Sequence, residues 1–177
     1  MIDKDTILLK LQNVDKKLTK YSNKLKEKLN VILIGASSLI LKYNLKRTTF
    51  DINMLDRGEF KIYGVGTVFE EEGFHIVSEA ILNLHPDYEE RLEKVLELKN
   101  INVYCMNPYD IAISKIARGF QKDFDDILKS DLIKEIDIEK LKKLYFEAMD
   151  YWIGDERKYK TNFELFENEY RKIKAKN

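Results

Sequence analysis

The chain has 177 residues, a length that favours one domain or a small domain with a helical appendage. Its 31 basic and 31 acidic residues cancel, so any surface that attracts nucleic acid must be local. We expect a cytoplasmic protein without membrane contact, because apolar runs stay well short of about 20 residues and Asp3 and Lys4 stand where a signal peptide would be apolar. The single Cys105 excludes an internal disulfide, and its apolar neighbours predict a buried thiol.

The first part of the chain alternates between helical and strand patterns. Apolar residues recur at three- and four-residue steps over 4–28 and predict one amphipathic helix. The apolar run 31–34 is typical of a buried strand. The patterns that follow predict, in order, a helix over 36–43, a strand over 50–55, a helix over 58–73, a strand over 75–82, a helix over 87–98 and a strand over 101–106.

The remainder of the chain is predicted to be helical. Asn107 and Pro108 form a helix start, and Gly119 follows Arg118 as a stop. Further helices are predicted over 123–129, over 137–152 and from Thr161, where a capping-box pattern begins. The expected fold is therefore α/β (α+β): a small mixed sheet core with a leading helix over residues 1–107, then a helical region over 108–177.

The first chemical motif lies at the end of the strand 31–34. Gly35, Ser37 and Ser38 open the following helix. Backbone N–H groups and hydroxyls at a helix N-terminus suit phosphate oxygens, which makes these residues candidates for a phosphate site. The alternative is that Gly35 ends the strand and Ser37 caps the helix, as in many α/β domains.

The second motif is the pair Asp51 and Asn53 on the next predicted strand. Side chains alternate along a strand, so both residues project from the same face. A carboxylate and a second oxygen ligand suit Mg²⁺, which binds a few protein oxygens together with substrate phosphates. The alternative is that Asp51 is a surface residue at a strand entry.

The order of these parts resembles the nucleotidyltransferase superfamily of polymerase-β-like fold, whose signature is Gly-(Gly/Ala/Ser)-Ser, a helix and Asp-x-Asp. The resemblance implies that a nucleotidyl group moves from an NTP to an acceptor hydroxyl with Mg²⁺ on Asp51 and Asn53. It implies nucleotide contacts from Gly35, Ser37, Ser38 and Arg47. Asn53 departs from the pattern, since its amide oxygen carries no charge, and the strand 101–106 lacks the third acid that several members place there.

A third motif follows Pro108 and resembles the AbiEii-like toxin branch of that superfamily, through Ser-Lys-Ile-Ala-Arg over 114–118 and Lys-Asp-Phe-Asp-Asp over 122–126. The resemblance implies that Lys115 and Arg118 contact the triphosphate. It also implies that Lys115 faces a solvent-filled cleft. It also implies that Asp123 and Asp126 orient Lys115 or reach a metal-bound water. Such toxins modify RNA, often the tRNA 3′ end, and pair with an antitoxin protein.

Three alternatives stay open. In the first, the chain is a retired nucleotidyltransferase, marked by Asn53, that binds a nucleotide or a protein. In the second, it is a helical interaction protein whose motifs are coincidental. In the third motif, Lys115 and its neighbours can also form a helix pair whose charges neutralise each other, with Asp123 as a cap. His75 and His85 lack partners at metal-ligand spacing and are expected to be structural or surface residues.

Overall fold

The computed structural model describes residues 1–58, 60, 64–79 and 82–176. They form two compact units. The first unit spans Met1–Ile81 and Leu92–Met106, and the second spans Leu82–Arg91 and Asn107–Asn177. The expected α/β fold class is confirmed, because the first unit holds a five-stranded mixed sheet and the described parts of both units hold helices.

The sheet of the first unit has the strand order β3-β2-β1-β5-β4. Its strands are β1 (Leu29–Ile34), β2 (Ile52–Asp56), β3 (Phe74–Ser78), β4 (Glu93–Glu97) and β5 (Ile101–Cys105). β1 runs antiparallel to β2 and parallel to β5. β2 runs parallel to β3, and β4 runs antiparallel to β5. The central β1 is almost completely buried, as its apolar sequence predicted.

Three helices belong to the first unit: α1 (Lys4–Leu18), α2 (Gly35–Lys42) and α3 (Val65–Glu71). The predicted helix over 4–28 is correct only to Leu18, after which one short 3₁₀ turn follows. Asn100 explains the early end, because its Nδ2 donates to the Asp15 carbonyl and its backbone N–H donates to the Asp15 side chain. That carbonyl belongs to the last turn of α1, where free acceptors need partners.

Two predictions in the middle of the chain need correction. The predicted helix over 87–98 is wrong, since a 3₁₀ turn at Tyr88–Arg91 leads into β4, which pairs with β5 at the sheet edge. The predicted helix over 58–73 begins only at Val65, and residues 59 and 61–63 lie outside the described residues. The predicted strand over 75–82 ends at Ser78, with residues 80 and 81 also outside them.

The second unit contains α4 (Pro108–Arg118), α5 (Gln121–Leu128), α6 (Leu132–Glu135), α7 (Ile138–Met149) and α8 (Glu156–Lys174). The predicted boundaries of α4 are confirmed. The Asn107 side chain accepts from the Tyr109 backbone N–H, and Gly119 ends the helix in the left-handed region at φ 70°. α6 was not predicted, and α8 begins earlier than Thr161, because Asp155 caps it.

The core of the second unit is aromatic. Tyr145 and Tyr159 stack at 4.0 Å between ring centroids, and each hydroxyl donates to the other residue's carbonyl at 2.9 Å. Phe163 packs against the Tyr145 ring. Among the residues that the structure describes, helices long and apolar enough to cross a bilayer are absent.

Candidate functional site

Asp51 and Asn53 lie where β2 meets the end of β1. Asn53 pairs with Ile34 of β1 on one side and with His75 of β3 on the other. Directly paired residues project from the same sheet face, so Asn53 and His75 are neighbours there, with Asp51 two residues before Asn53. Gly35 follows Ile34 directly, so the first turn of α2 begins beside this row.

The Asp51 carboxylate is held by its neighbours. Thr49 Oγ1 donates to Asp51 Oδ1 at 3.0 Å, and Asn53 Nδ2 donates to Asp51 Oδ2 at 3.2 Å. Partial burial acts to raise the pKa of Asp51, but these two hydrogen bonds, with help from His75, outweigh it and lower that pKa. Asp51 therefore presents a half-buried, ionised carboxylate.

The N-terminus of α2 offers backbone N–H groups directly after Ile34, the β1 residue that pairs with Asn53. Gly35 has φ 62°, which favours glycine, and a Cβ built there would meet no described atom within 4 Å. No side chain of the described residues caps α2. The first amides of the helix can therefore receive an anion from open space.

The two serines of the first motif are enclosed within the first unit. The Ser37 hydroxyl donates to the Ile34 carbonyl at 2.8 Å and lies 3.3 Å from the Asn53 carbonyl. Ser38 is fully buried, and its Oγ has no hydrogen-bond partner among the described groups. The Ser38 side chain nevertheless acts to lower the pKa of the Cys105 thiol. The amides of this turn are thus better placed than its hydroxyls for phosphate contacts, and the predicted role of the hydroxyls stays a prediction.

Cys105 is buried, as predicted. Burial raises the pKa of its thiol to about 11, against the opposing effect of the Ser38 hydroxyl. A thiol with so high a pKa holds its proton at neutral pH and is a poor nucleophile.

The donors on this face fit one divalent ion better than two. Asp51 supplies the carboxylate, while the Asn53 amide directs its nitrogen towards Asp51. Clusters of three or more acidic, His or Cys residues suited to a metal are absent from the described chain, and β5 carries Asn102 and Tyr104 in place of an acid. Mg²⁺ held mainly by nucleotide phosphates needs only one or two protein carboxylates, and Asp51 with a reoriented Asn53 oxygen meets that need.

Lys115, Arg118, Asp123 and Asp126 come together within the second unit. Lys115 Nζ lies 3.0 Å from Asp123 Oδ1 and 2.7 Å from Asp126 Oδ2, and Arg118 also pairs with Asp123. Lys115 is only 3% exposed, which corrects the expectation that it faces a wet cleft. Its two aspartates lie on α5 and are equally buried, so the four charges neutralise one another. The predicted roles of these residues towards a triphosphate stay predictions.

Sequence reasoning missed His75 as a neighbour of Asp51 and Asn53. His75 stands 24 positions after Asp51 in the chain and has no metal-ligand spacing to it. Only the parallel register of β2 and β3 places it beside Asn53. The β-rich pattern of both segments was visible in the sequence, but their register was not.

Over residues 9–176 the chain matches the family described as "Nucleotidyltransferase of unknown function (DUF6036)", and it belongs to that family. No curated protein and no solved structure matches it. Membership of this family supports the resemblance to the nucleotidyltransferase superfamily. It does not support the more specific resemblance to the AbiEii-like toxin branch.

Proposed function

We propose that this protein transfers a nucleotidyl group from an NTP to an acceptor hydroxyl, with Asp51 as its central acidic residue. The observation that carries the proposal is the ionised Asp51 carboxylate, beside the uncapped N-terminus of α2 and the open space at Gly35. A carboxylate suits a phosphate-bound Mg²⁺, and amides suit the phosphate oxygens. The two kinds of group are what a nucleotide–metal complex requires.

In the proposed reaction, the acceptor oxygen forms a bond to the α-phosphorus of the NTP. The bond from that phosphorus to the bridging oxygen breaks, and pyrophosphate leaves with the bonding electron pair. The hydroxyl proton passes to solvent or to the nearby Asp51 carboxylate. The α2 amides hold phosphate oxygens, and Asp51 fixes the position of the metal-bound nucleotide. Mg²⁺, when bound, supplies positive charge that neutralises the developing charge on the phosphates.

Finer parts of the proposal are supported only by resemblance. The similarity over 114–126 to AbiEii-like toxins supports an RNA acceptor, such as a tRNA 3′ end, and an antitoxin protein as partner. The buried pairing of Lys115 with Asp123 and Asp126 favours a structural role for that residue.

A retired enzyme that binds a nucleotide without transferring it is the second candidate. The hydrogen bond from Asn53 Nδ2 to Asp51 favours it, because the amide points its nitrogen where a second carboxylate would point an oxygen. A neutral second ligand weakens the hold on Mg²⁺ relative to an Asp-x-Asp pair. The two candidates agree on nucleotide binding and differ on transfer.

Two measurements separate the candidates. Mg²⁺ with each of the four NTPs should raise the melting temperature of the wild type, because a ligand that binds only the folded state stabilises it. Asp51→Asn should remove that shift, whereas Asp5→Asn, an exposed acid on α1, should retain it. Incubation with α-labelled NTP and total RNA should then label RNA. A nucleotide-dependent shift without label would identify the retired enzyme, and the absence of any shift at millimolar NTP would contradict both candidates.

A further inference from the structure

An open cleft of about 530 Å³ lies in the first unit, between the start of α1 and the loop that joins α2 to β2. The charged side chains that line it are Asp3, Lys4, Lys46 and Arg47. The Asp3 carboxylate caps α1, because it accepts hydrogen bonds from the backbone N–H and the hydroxyl of Thr6. Three cations and one carboxylate therefore line this cleft, in a chain whose total charge is zero. Arg47 Nη1 also donates to the Thr48 carbonyl at 3.3 Å.

The backbone holds both walls of this cleft in place. Ile2 and Thr49 exchange backbone hydrogen bonds of 2.8 and 3.1 Å, which tie the residues before α1 to the end of the loop. Thr49 in turn donates its hydroxyl to Asp51. The loop that carries Lys46 and Arg47 is therefore connected, through one residue, to the carboxylate of the proposed site.

Phe50 lies in the chain between the cleft-lining loop and Asp51. It follows Thr49, precedes Asp51, and is 88% exposed to solvent. A basic groove followed by an accessible aromatic ring is the arrangement that binds single-stranded nucleic acid, because cations contact the phosphates and the ring stacks on a base. In the chain, Phe50 directly precedes Asp51, the residue proposed to act in transfer.

We infer that this cleft binds the 3′-terminal segment of a single-stranded nucleic acid, with Lys4, Lys46 and Arg47 on its phosphates and Phe50 on a base. The bound strand is the acceptor of the proposed function, on which this inference rests. The cleft belongs to the first unit and does not include the α2 amides proposed for the NTP. Strand binding can therefore be measured without nucleotide and without turnover.

The test is the fluorescence anisotropy of a 5′-labelled, mixed-sequence 12-nucleotide RNA with a free 3′ hydroxyl, titrated with full-length protein from 50 to 200 mM KCl. With three phosphate contacts, the logarithm of the binding constant should fall with the logarithm of salt at a slope of about −2. Lys46→Ala with Arg47→Ala should reduce that slope by about 1.4. The control pair Lys26→Ala with Lys122→Ala, both exposed lysines outside the cleft, should leave it unchanged.

Phe50→Ala should weaken RNA binding by about tenfold, as expected for loss of one stacked base. Phe120→Ala, which removes a 65% exposed phenylalanine of the second unit, is its matched control and should change little. Absence of RNA binding, or binding that the cleft variants and controls affect equally, would overturn the inference. Equal competition by polyglutamate, or complete displacement by Mg²⁺–ATP, would also overturn it by assigning the cleft to an acidic protein segment or to the NTP.

Failure of the proposed function and failure of the cleft inference give different experimental results. Asp51→Asn should retain RNA binding within about twofold while losing the nucleotide-dependent rise in melting temperature. Conversely, Lys46→Ala alone should retain that rise, because Lys46 is not among the residues expected to contact the nucleotide. Strand binding that depends on the cleft, in a protein that gives no nucleotide shift, would support the cleft and remove the proposed transfer.

Discussion

Two groups of charged residues in this protein have opposite environments. Asp51 and Asn53 lie half-buried at a strand end, beside uncapped amides and open space. Lys115, Asp123 and Asp126 are almost completely buried, and every charge there has an opposite charge within 3.0 Å. Both groups belong to motifs that suggested catalysis in the sequence. Accessible, incompletely paired groups can bind a ligand, whereas a fully paired buried cluster already has its partners.

The largest expected effect is on folding, from Lys115→Ala. Removing the ammonium takes one ion pair from each of two buried carboxylates, which typically costs about 3–5 kcal/mol. Urea denaturation should show a correspondingly lower free energy of unfolding. Lys122→Ala, four positions from Asp126 but exposed, should change it by less than about 0.5 kcal/mol. Equal, small effects of the two substitutions would mean that the buried cluster contributes nothing to the fold.

A smaller loss is expected from Gly35→Ala. The backbone at Gly35 is left-handed, and a non-glycine residue there costs about 1–2 kcal/mol, while the open space means that no clash adds to it. Gly35→Asn should cost less, because asparagine tolerates this conformation better. Thermal denaturation of the three proteins tests the order glycine, asparagine, alanine. A larger loss for asparagine than for alanine would show that space, not conformation, limits this position.

The metal site is tested by Asn53→Asp. A second carboxylate should tighten Mg²⁺ binding on the order of tenfold, because a charged oxygen replaces a neutral one. Without metal the same substitution removes a hydrogen bond to Asp51 and places two like charges together, so the variant should be less stable until Mg²⁺ is added. Calorimetric titration with Mg²⁺ measures the affinity. Equal affinities of the wild type and the variant would show that residue 53 is not a ligand.

The smallest effect is the acid dependence of stability contributed by Asp51. Its pKa is lower in the folded protein than the ordinary value of 3.8, so ionised Asp51 stabilises the fold above about pH 4, and this contribution is lost as the pH falls through the folded pKa. The wild type should therefore lose more stability than Asp51→Asn between pH 5 and pH 3. Urea midpoints across that range measure the difference, and parallel acid profiles would contradict the hydrogen-bonded carboxylate.

Local signals predicted much of the fold correctly. The apolar β1, the Asn107 cap and the Gly119 stop depend on residues adjacent in sequence, and the structure has them where they were predicted. β4 was predicted as helix because its charged, five-residue sequence has no clear strand alternation. Pairing with β5 decides its conformation, and that partner lies beyond the reach of a local pattern.

The sequence by itself determined the nucleotidyltransferase order of parts: a buried strand, a glycine-led helix and a strand with Asp51 and Asn53 on one face. Those features follow from local propensity and the period-two alternation of strands. Only the tertiary structure decided that Ser37 and Ser38 are enclosed, that His75 lies beside Asn53 and that Lys115 is buried. Each depends on which distant segments pair or pack, and strand register and side-chain burial are set by contacts between residues far apart in the chain.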